Sequence, residues 1–379
     1  MIDYEFLRVV WWLLLGVLLI AFAIMDGFDL GAVALLPFVG KTDLERRVVI
    51  NTVGPVWEGN QVWFILGGGA IFAAWPYVYA ISFSGFYLAM FLVLVTFIIR
   101  PVAFKYRSKL EDSRWRHTWD WIMCIAGITT SILLGVAVGN VLQGVPFHFD
   151  SDLRVFYTGS FFGLLNPFAL LCGLVSLCML LMHGGFYLSI KASGQVAERA
   201  VKLARFFAWL LIVLFALGGV WVSLGDIGYQ MTSVVSMVGP SNPMHKQVIA
   251  LSGAWLNNYA LHPWMRLMPV LGFLGAAAAW FLSKKQAKKT AFISSAISLA
   301  GVVGTAGVSM FPFLLPSSSN PSESLTVWDA SSSQLTLQIM FICAVIFVPM
   351  IVAYTTWVFR VLRGPVTQAS IEADSKDMY

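Results

Sequence analysis

Apolar runs of about 20 residues recur along this chain, and they constrain its fold more than any other feature. A helix needs roughly 20 apolar residues to cross the hydrocarbon core of a bilayer. Nine runs reach or approach that length, at about 8–37, 57–75, 77–99, 118–142, 161–190, 206–225, 264–283, 290–315 and 335–359. None alternates apolar with polar residues as a lipid-facing strand must. Helices are therefore expected, because lipid offers no partner to an open backbone. Only 11% of the 379 residues are charged and 59% are hydrophobic. A soluble domain carries about 25% charged residues, so this chain has too few to cover a water-facing surface. The expected fold class is an all-α membrane protein of about nine transmembrane helices. A single polytopic domain spans 1–363, followed by a polar cytoplasmic tail over 364–379.

Charge placement sets the expected orientation. With the N-terminus outside (periplasmic), the inner segments hold 20 of the 24 basic residues, leaving only Arg8, Arg154, Lys246 and Arg266 outside. Such a bias places the C-terminus in the cytoplasm and calls for an odd number of spans. The basic residues form no stripe for nucleic acid, and no nucleic-acid partner is expected. The first apolar run follows a short acidic segment and lacks a small-residue cleavage site, so it is expected to remain as a span. Two outer loops, about 226–263 and 316–334, are rich in Ser, Asn, Pro and Gly and read as ordered caps.

Ionisable residues within apolar runs are the candidates for chemistry. Asp26 and Asp29 stand three apart in Met25-Asp26-Gly27-Phe28-Asp29 and so share a helix face. Measured from Arg8, Asp26 lies about 27 Å along the helix, in the inner part of the membrane. Glu58 follows Trp57 at the start of the second run, on the same inner side. A proton relay through Glu58, Asp26 and Asp29 competes with a purely structural role for buried acids. Further along that run, Trp63 and the glycines Gly67, Gly68 and Gly69 suggest close helix packing or the close approach of a flat ligand.

Metal chemistry within the chain is not expected. Of five histidines, only His183 lies clearly inside a run; His117 sits at an inner end, and His148, His245 and His262 fall in outer loops. Haem iron needs an axial ligand, most often histidine, so a bis-histidine site is not available. Cys124, Cys172, Cys178 and Cys343 all lie in apolar runs without C-x-x-C spacing and read as small buried hydrophobes. Trp11, Trp12, Trp75, Trp221, Trp255 and Trp328 fit interface belts or packing. Phosphate-binding loops and nucleophile–base sets are absent.

Several segments together resemble subunit II of cytochrome bd ubiquinol oxidase. They are Phe28-Asp29-Leu30-Gly31, Trp57 to Trp63, Phe72-Ala73-Ala74-Trp75-Pro76, Ser84-Gly85-Phe86-Tyr87, Arg100-Pro101, Gly144-Val145-Pro146-Phe147, Phe311-Pro312-Phe313 and Trp328-Asp329 with Ser331 to Thr336. The resemblance runs from Asp3-Tyr4 to Tyr379. It implies two four-helix bundles plus one peripheral helix, paired with a haem-bearing subunit I. That partner would hold two b haems, one d haem and the quinol site. The complex would oxidise quinol near the outer face and reduce oxygen with cytoplasmic protons. The resemblance further implies a proton path through Asp26, Asp29, Trp57 and Glu58, a structural quinone in some members, and small accessory membrane subunits. Glu58 departs from the Asp associated with some members; the added methylene shifts that part of the path. A different class, a proton-coupled secondary transporter using the same three acids, remains the alternative. The acids lie toward one face and internal repeats are faint, which favours the oxidase.

Overall fold

The computed structural model describes residues 2–373. Thirteen α-helices dominate: α1 (Tyr4–Val39), α2 (Asp43–Val53), α3 (Trp57–Ala74), α4 (Pro76–Gly85), α5 (Tyr87–Tyr106), α6 (Ser113–Gln143), α7 (Pro167–Lys191), α8 (Gly194–Leu224), α9 (Asn257–Leu261), α10 (Leu267–Lys284), α11 (Lys288–Met310), α12 (Gln334–Val361) and α13 (Gln368–Ala373). Their starts follow local chemistry. Asp3, Asn166 and Ser333 accept backbone N–H bonds at the heads of α1, α7 and α12. Thr42 and Glu45 close a reciprocal capping box on α2.

Eight of these helices are long and apolar enough to cross a membrane. The nine-span expectation differs at the second run. There α3 is only 18 residues long, and Glu58, Asn60 and Gln61 make its opening turns polar. Trp75 and Pro76 then end α3 and begin α4. The expected third run is also divided: α4 stops at Gly85 and α5 begins at Tyr87.

Packing groups the long helices. On one side α1 packs on α3 and α6, and α5 on α6; on the other, α7 packs on α8 and α11, and α10 on both α8 and α11. Contacts of α1 and α6 with α7 join the two groups. Helix α12 lies against α1 and α3, and Leu337 is its only buried residue. The seam depends on glycine. A Cβ on Gly31 would strike the backbone at Leu180 and Gly184, and one on Gly184 would reach within 2.5 Å of the Gly31 carbonyl carbon. The Gly67–Gly69 stripe behaves differently from its expectation. A Cβ on Gly67 would meet only Leu19, at 3.8 Å, and Gly68 and Gly69 have nothing within 4 Å. Close helix approach within this chain therefore occurs elsewhere. Cys343 also departs from expectation, being exposed on α12.

Three short antiparallel hairpins cap one end: β1 (Phe147–Phe149) with β2 (Val155–Tyr157), β3 (Tyr229–Met231) with β4 (Val248–Ala250), and β5 (Phe313–Leu315) with β6 (Leu325–Thr326). Buried Arg8 ties this cap to α1 by donating to the carbonyls of Met237 and Gly239 and to Ser331. Lys246 pairs with Asp329 at 2.8 Å and links the two long loops. Burial holds the Lys246 ammonium below its ordinary pKa, although Asp329 opposes the shift.

The seam is testable. Gly184→Ala is expected to lower the melting temperature of the purified protein by several degrees, on the order of 1–3 kcal/mol of overpacking. Gly219→Ala, with nothing within 4 Å of its added methyl, should leave melting within about a degree. Equal melting of the two variants contradicts the packing.

Candidate functional site

Three helices meet at a polar cluster inside the first group. Asp26 and Asp29 on α1 are both fully buried, at 0% exposure. Arg100 on α5, itself buried, places Nη2 3.0 Å from Asp26 Oδ1. Asn60 on α3 donates from Nδ2 to Asp29 Oδ2 at 2.8 Å. The Arg100 guanidinium also stands 5.3 Å from the Phe97 ring and 5.8 Å from that of Trp57. Trp57 in turn packs on Phe104, with ring centroids 6.0 Å apart.

The electrostatics follow from burial. An isolated charge in a low-dielectric interior costs several kcal/mol or more, and Arg100 supplies the counter-charge that Asp26 lacks on its own helix. Two acids then face one guanidinium, so a single added proton makes the cluster neutral. Asp26 Oδ2, Asp29 Oδ1 and Arg100 Nε and Nη1 have no hydrogen-bond partner among the described residues. Native proteins leave few buried polar atoms without a protein, water or ion partner.

The structure thus brings Asp26, Asp29 and Trp57 together and places Glu58 differently. Glu58 is exposed in the first turn of α3, one residue from buried Trp57. Trp63 and Gly67 are buried and lie in the part of α3 that packs on α1. Two members of the cluster, Arg100 and Asn60, escaped the sequence reading. Arg100 stands among the 20 inner basic residues and in the Arg100-Pro101 segment, neither of which names Asp26 as its partner. Its setting, Ile98-Ile99-Arg100-Pro101-Val102-Ala103, is apolar on both sides and marks it as an arginine within a helix. Asn60 has no local signal for its partner, which lies 31 residues away on α1.

Arginine pairing extends to the end of the helices where α2 lies. Asp120 is buried between Arg46, at 2.8 Å, and Arg107, at 2.5 Å. Arg107 and Arg116 both reach Asp43, and Arg199 reaches Glu45 at 2.8 Å. Burial pushes the Glu45 carboxyl up, but hydrogen bonds from Arg199 and from the N–H groups of Lys41 and Thr42 outweigh it and hold the pKa below the usual range.

The geometry of His183 does not fit haem ligation. His183 is fully buried. Its Nδ1 bonds Ser295 Oγ at 2.7 Å, and its Nε2 lies 3.0 Å from the Ile24 carbonyl. Its ring stacks on Phe292 at 4.6 Å. Both ring nitrogens are committed to protein partners, so no lone pair faces an open axial position.

Residues 7–362 match the family described as cytochrome bd terminal oxidase subunit II. The chain belongs to that family. It is 48% identical over 379 residues to cytochrome bd-I ubiquinol oxidase subunit 2 of Escherichia coli K12, covering 100% of both chains. A probable cytochrome oxidase subunit 2 of Haemophilus influenzae is likewise 48% identical over the full length. The cytochrome bd ubiquinol oxidase subunit 2 of Bacillus subtilis is 30% identical, covering 94% of this chain and 96% of its own. A chain in the structure of the bd oxidase from Geobacillus thermodenitrificans shares the fold, with a TM-score of 0.70 at 17% identity, over 94% of this chain and 98% of that one. This subunit II is therefore a multi-pass protein of the bacterial inner membrane and part of a respiratory oxidoreductase complex. Being a second subunit, it implies a partner subunit I.

For this subunit II, the ion pair gives a direct test. Arg100→Gln strands the Asp26 carboxylate, and removing one partner of a buried pair typically costs about 3–5 kcal/mol. Arg100→Gln alone should cut the yield of folded protein severely. Adding Asp26→Asn should restore much of it, read by size-exclusion chromatography from equal amounts of membrane. A double variant as poor as the single one contradicts the pairing.

Proposed function

We propose that this chain is the haem-poor subunit of a cytochrome bd-type quinol oxidase. It supports assembly and carries a proton path from the cytoplasm to the partner's oxygen-reducing centre. The two b haems, the d haem and the quinol site belong to subunit I in this reading. The occupied nitrogens of His183 support that division. A structural quinone and small accessory membrane subunits are further components of the same proposal. Quinol is the electron donor by similarity to relatives whose names carry ubiquinol.

The observation that carries the proton path is the Asp26–Arg100 and Asp29–Asn60 cluster, with its unpartnered carboxylate oxygens. Reduction of oxygen to water consumes one proton per electron. Those protons must cross protein in which a bare charge is prohibitively expensive, so ionisable groups and water must relay them. The basic-residue bias orients the α3 start toward the cytoplasm. Exposed Glu58 collects a proton there. Trp57 and Arg100 flank the way inward, and Asp29 and Asp26 receive the proton on α1. Arg100 keeps the charge of the pair low whichever acid is ionised. Family membership and the locking of both acids into bonds with Arg100 and Asn60 weigh against the transporter reading. A lateral oxygen route past Trp63 and Gly67 belongs to the same proposal, supported by the open space beside Gly68 and Gly69.

Glu58→Gln removes the exchangeable proton at an exposed position and leaves the buried pairs intact. It should slow oxygen reduction several-fold per haem at unchanged haem content. Asp29→Asn should do the same, because Asn60 keeps an acceptor. Full turnover per haem in both of these and in Asp26→Asn rules out the relay. Gly67→Leu should raise the apparent KM for oxygen without altering quinol affinity, and an unchanged oxygen dependence counts against the route.

A further inference from the structure

We infer that the cavity between α1, α3 and α12 is a binding site for an anionic phospholipid of the cytoplasmic leaflet. The cavity is about 580 Å³ and is lined by Met25 of α1, Trp63 of α3 and, on or just after α12, Val352, Thr355, Thr356, Phe359, Arg360 and Arg363. That volume lies within the roughly 300–1,000 Å³ of ordinary small-molecule sites. It exists because α12 is so loosely seated, with only Leu337 buried along its length.

Met25, Trp63, Val352 and Phe359 form a mainly apolar slot that also includes the hydroxyls of Thr355 and Thr356, and Arg360 and Arg363 stand at the end where α12 finishes. Val352 and Arg360 are separated by about 12 Å along the helix, which suits the upper part of an acyl chain beneath its headgroup. Both arginines line the cavity. Both are exposed, and neither has a carboxylate partner among the described residues. Arg46, Arg100, Arg107, Arg116 and Arg199, by contrast, are all paired. Two unpaired guanidinium groups over an apolar slot are complementary to a phosphate over a hydrocarbon chain. The basic-residue bias puts that end of α12 on the cytoplasmic side, where basic pockets between spans hold anionic headgroups. Met25 precedes Asp26, so a lipid chain in the slot also covers α1 beside the buried acids. This inference stands independently of the proton path.

Native mass spectrometry of the delipidated complex, as it purifies from its membrane, tests it. The probes are dioleoylphosphatidylglycerol and dioleoylphosphatidylcholine at equal concentration. The wild type should retain the glycerol lipid preferentially. The Arg360→Gln/Arg363→Gln double variant should bind it about 30-fold more weakly. Lys284→Gln/Lys285→Gln, equally basic but away from the slot, should bind it as the wild type does. Val352→Trp fills the slot with both arginines in place and should also lose the lipid; it decides the question if the double arginine variant fails to assemble. Equal retention of the two lipids by the wild type overturns the inference. So does undiminished binding in the double arginine variant and in Val352→Trp, or a photo-crosslinker at position 352 that captures the partner subunit instead of lipid.

Discussion

A guanidinium paired with a carboxylate inside the membrane domain is the constraint on which the first half of this structure depends. Arg100 on α5 and Asp26 on α1 are both buried. Neither charge is tolerable there alone. The pair fixes α5 to α1, and Asn60 fixes α3 to the same stretch of α1 through Asp29. Trp57, at the head of α3, stands beside Arg100 and borders the cluster. A set of helices that lipid alone would leave free to slide is thus held in register by a few polar bonds. Those same bonds hold two buried acids beside one guanidinium.

The two ends of the molecule are secured by related means. At one end, Arg8 and the Lys246–Asp329 pair bind the loop hairpins to α1 and to each other. At the other, Asp120 and Asp43 gather Arg46, Arg107 and Arg116, while Arg199 ties α8 to Glu45. Residues whose number and placement signal orientation therefore also act as fasteners. Between the ends, glycine contacts such as Gly31 with Gly184 let helices of the two groups meet backbone to backbone.

How much of this could be read from the sequence depended on whether the cause was local. Long apolar runs are local, so the helical membrane fold and most of the spans were legible. The polar opening of α3 diluted its run, because the residues that build the site are those that lower its hydropathy. The breaks at Pro76 and Phe86 lie within continuous apolar sequence, and only the proline announces itself. Asp26, Asp29, Trp57 and Glu58 stood out as unusual residues for their setting. Their partners did not, since Arg100 lies 74 residues from Asp26 and Asn60 lies 31 from Asp29. The glycine stripe at Gly67–Gly69 shows the reverse error. Composition suggested a tight helix contact, but tight contacts depend on which face meets a neighbour, and here that face belongs to Gly31, Gly135, Gly184, Gly275 and Gly301.

The central claim is that the buried acids change protonation as the enzyme works. Infrared difference spectroscopy of the assembled complex, recorded between oxidised and reduced states, reads this most directly in the carboxyl C=O stretching region. A working relay gives a carboxyl band that is lost in Asp29→Asn and shifted in Asn60→Leu, where the hydrogen bond to Asp29 is removed. A difference spectrum without a carboxyl band, or one unchanged in both variants, would show that the acids only hold the helices together.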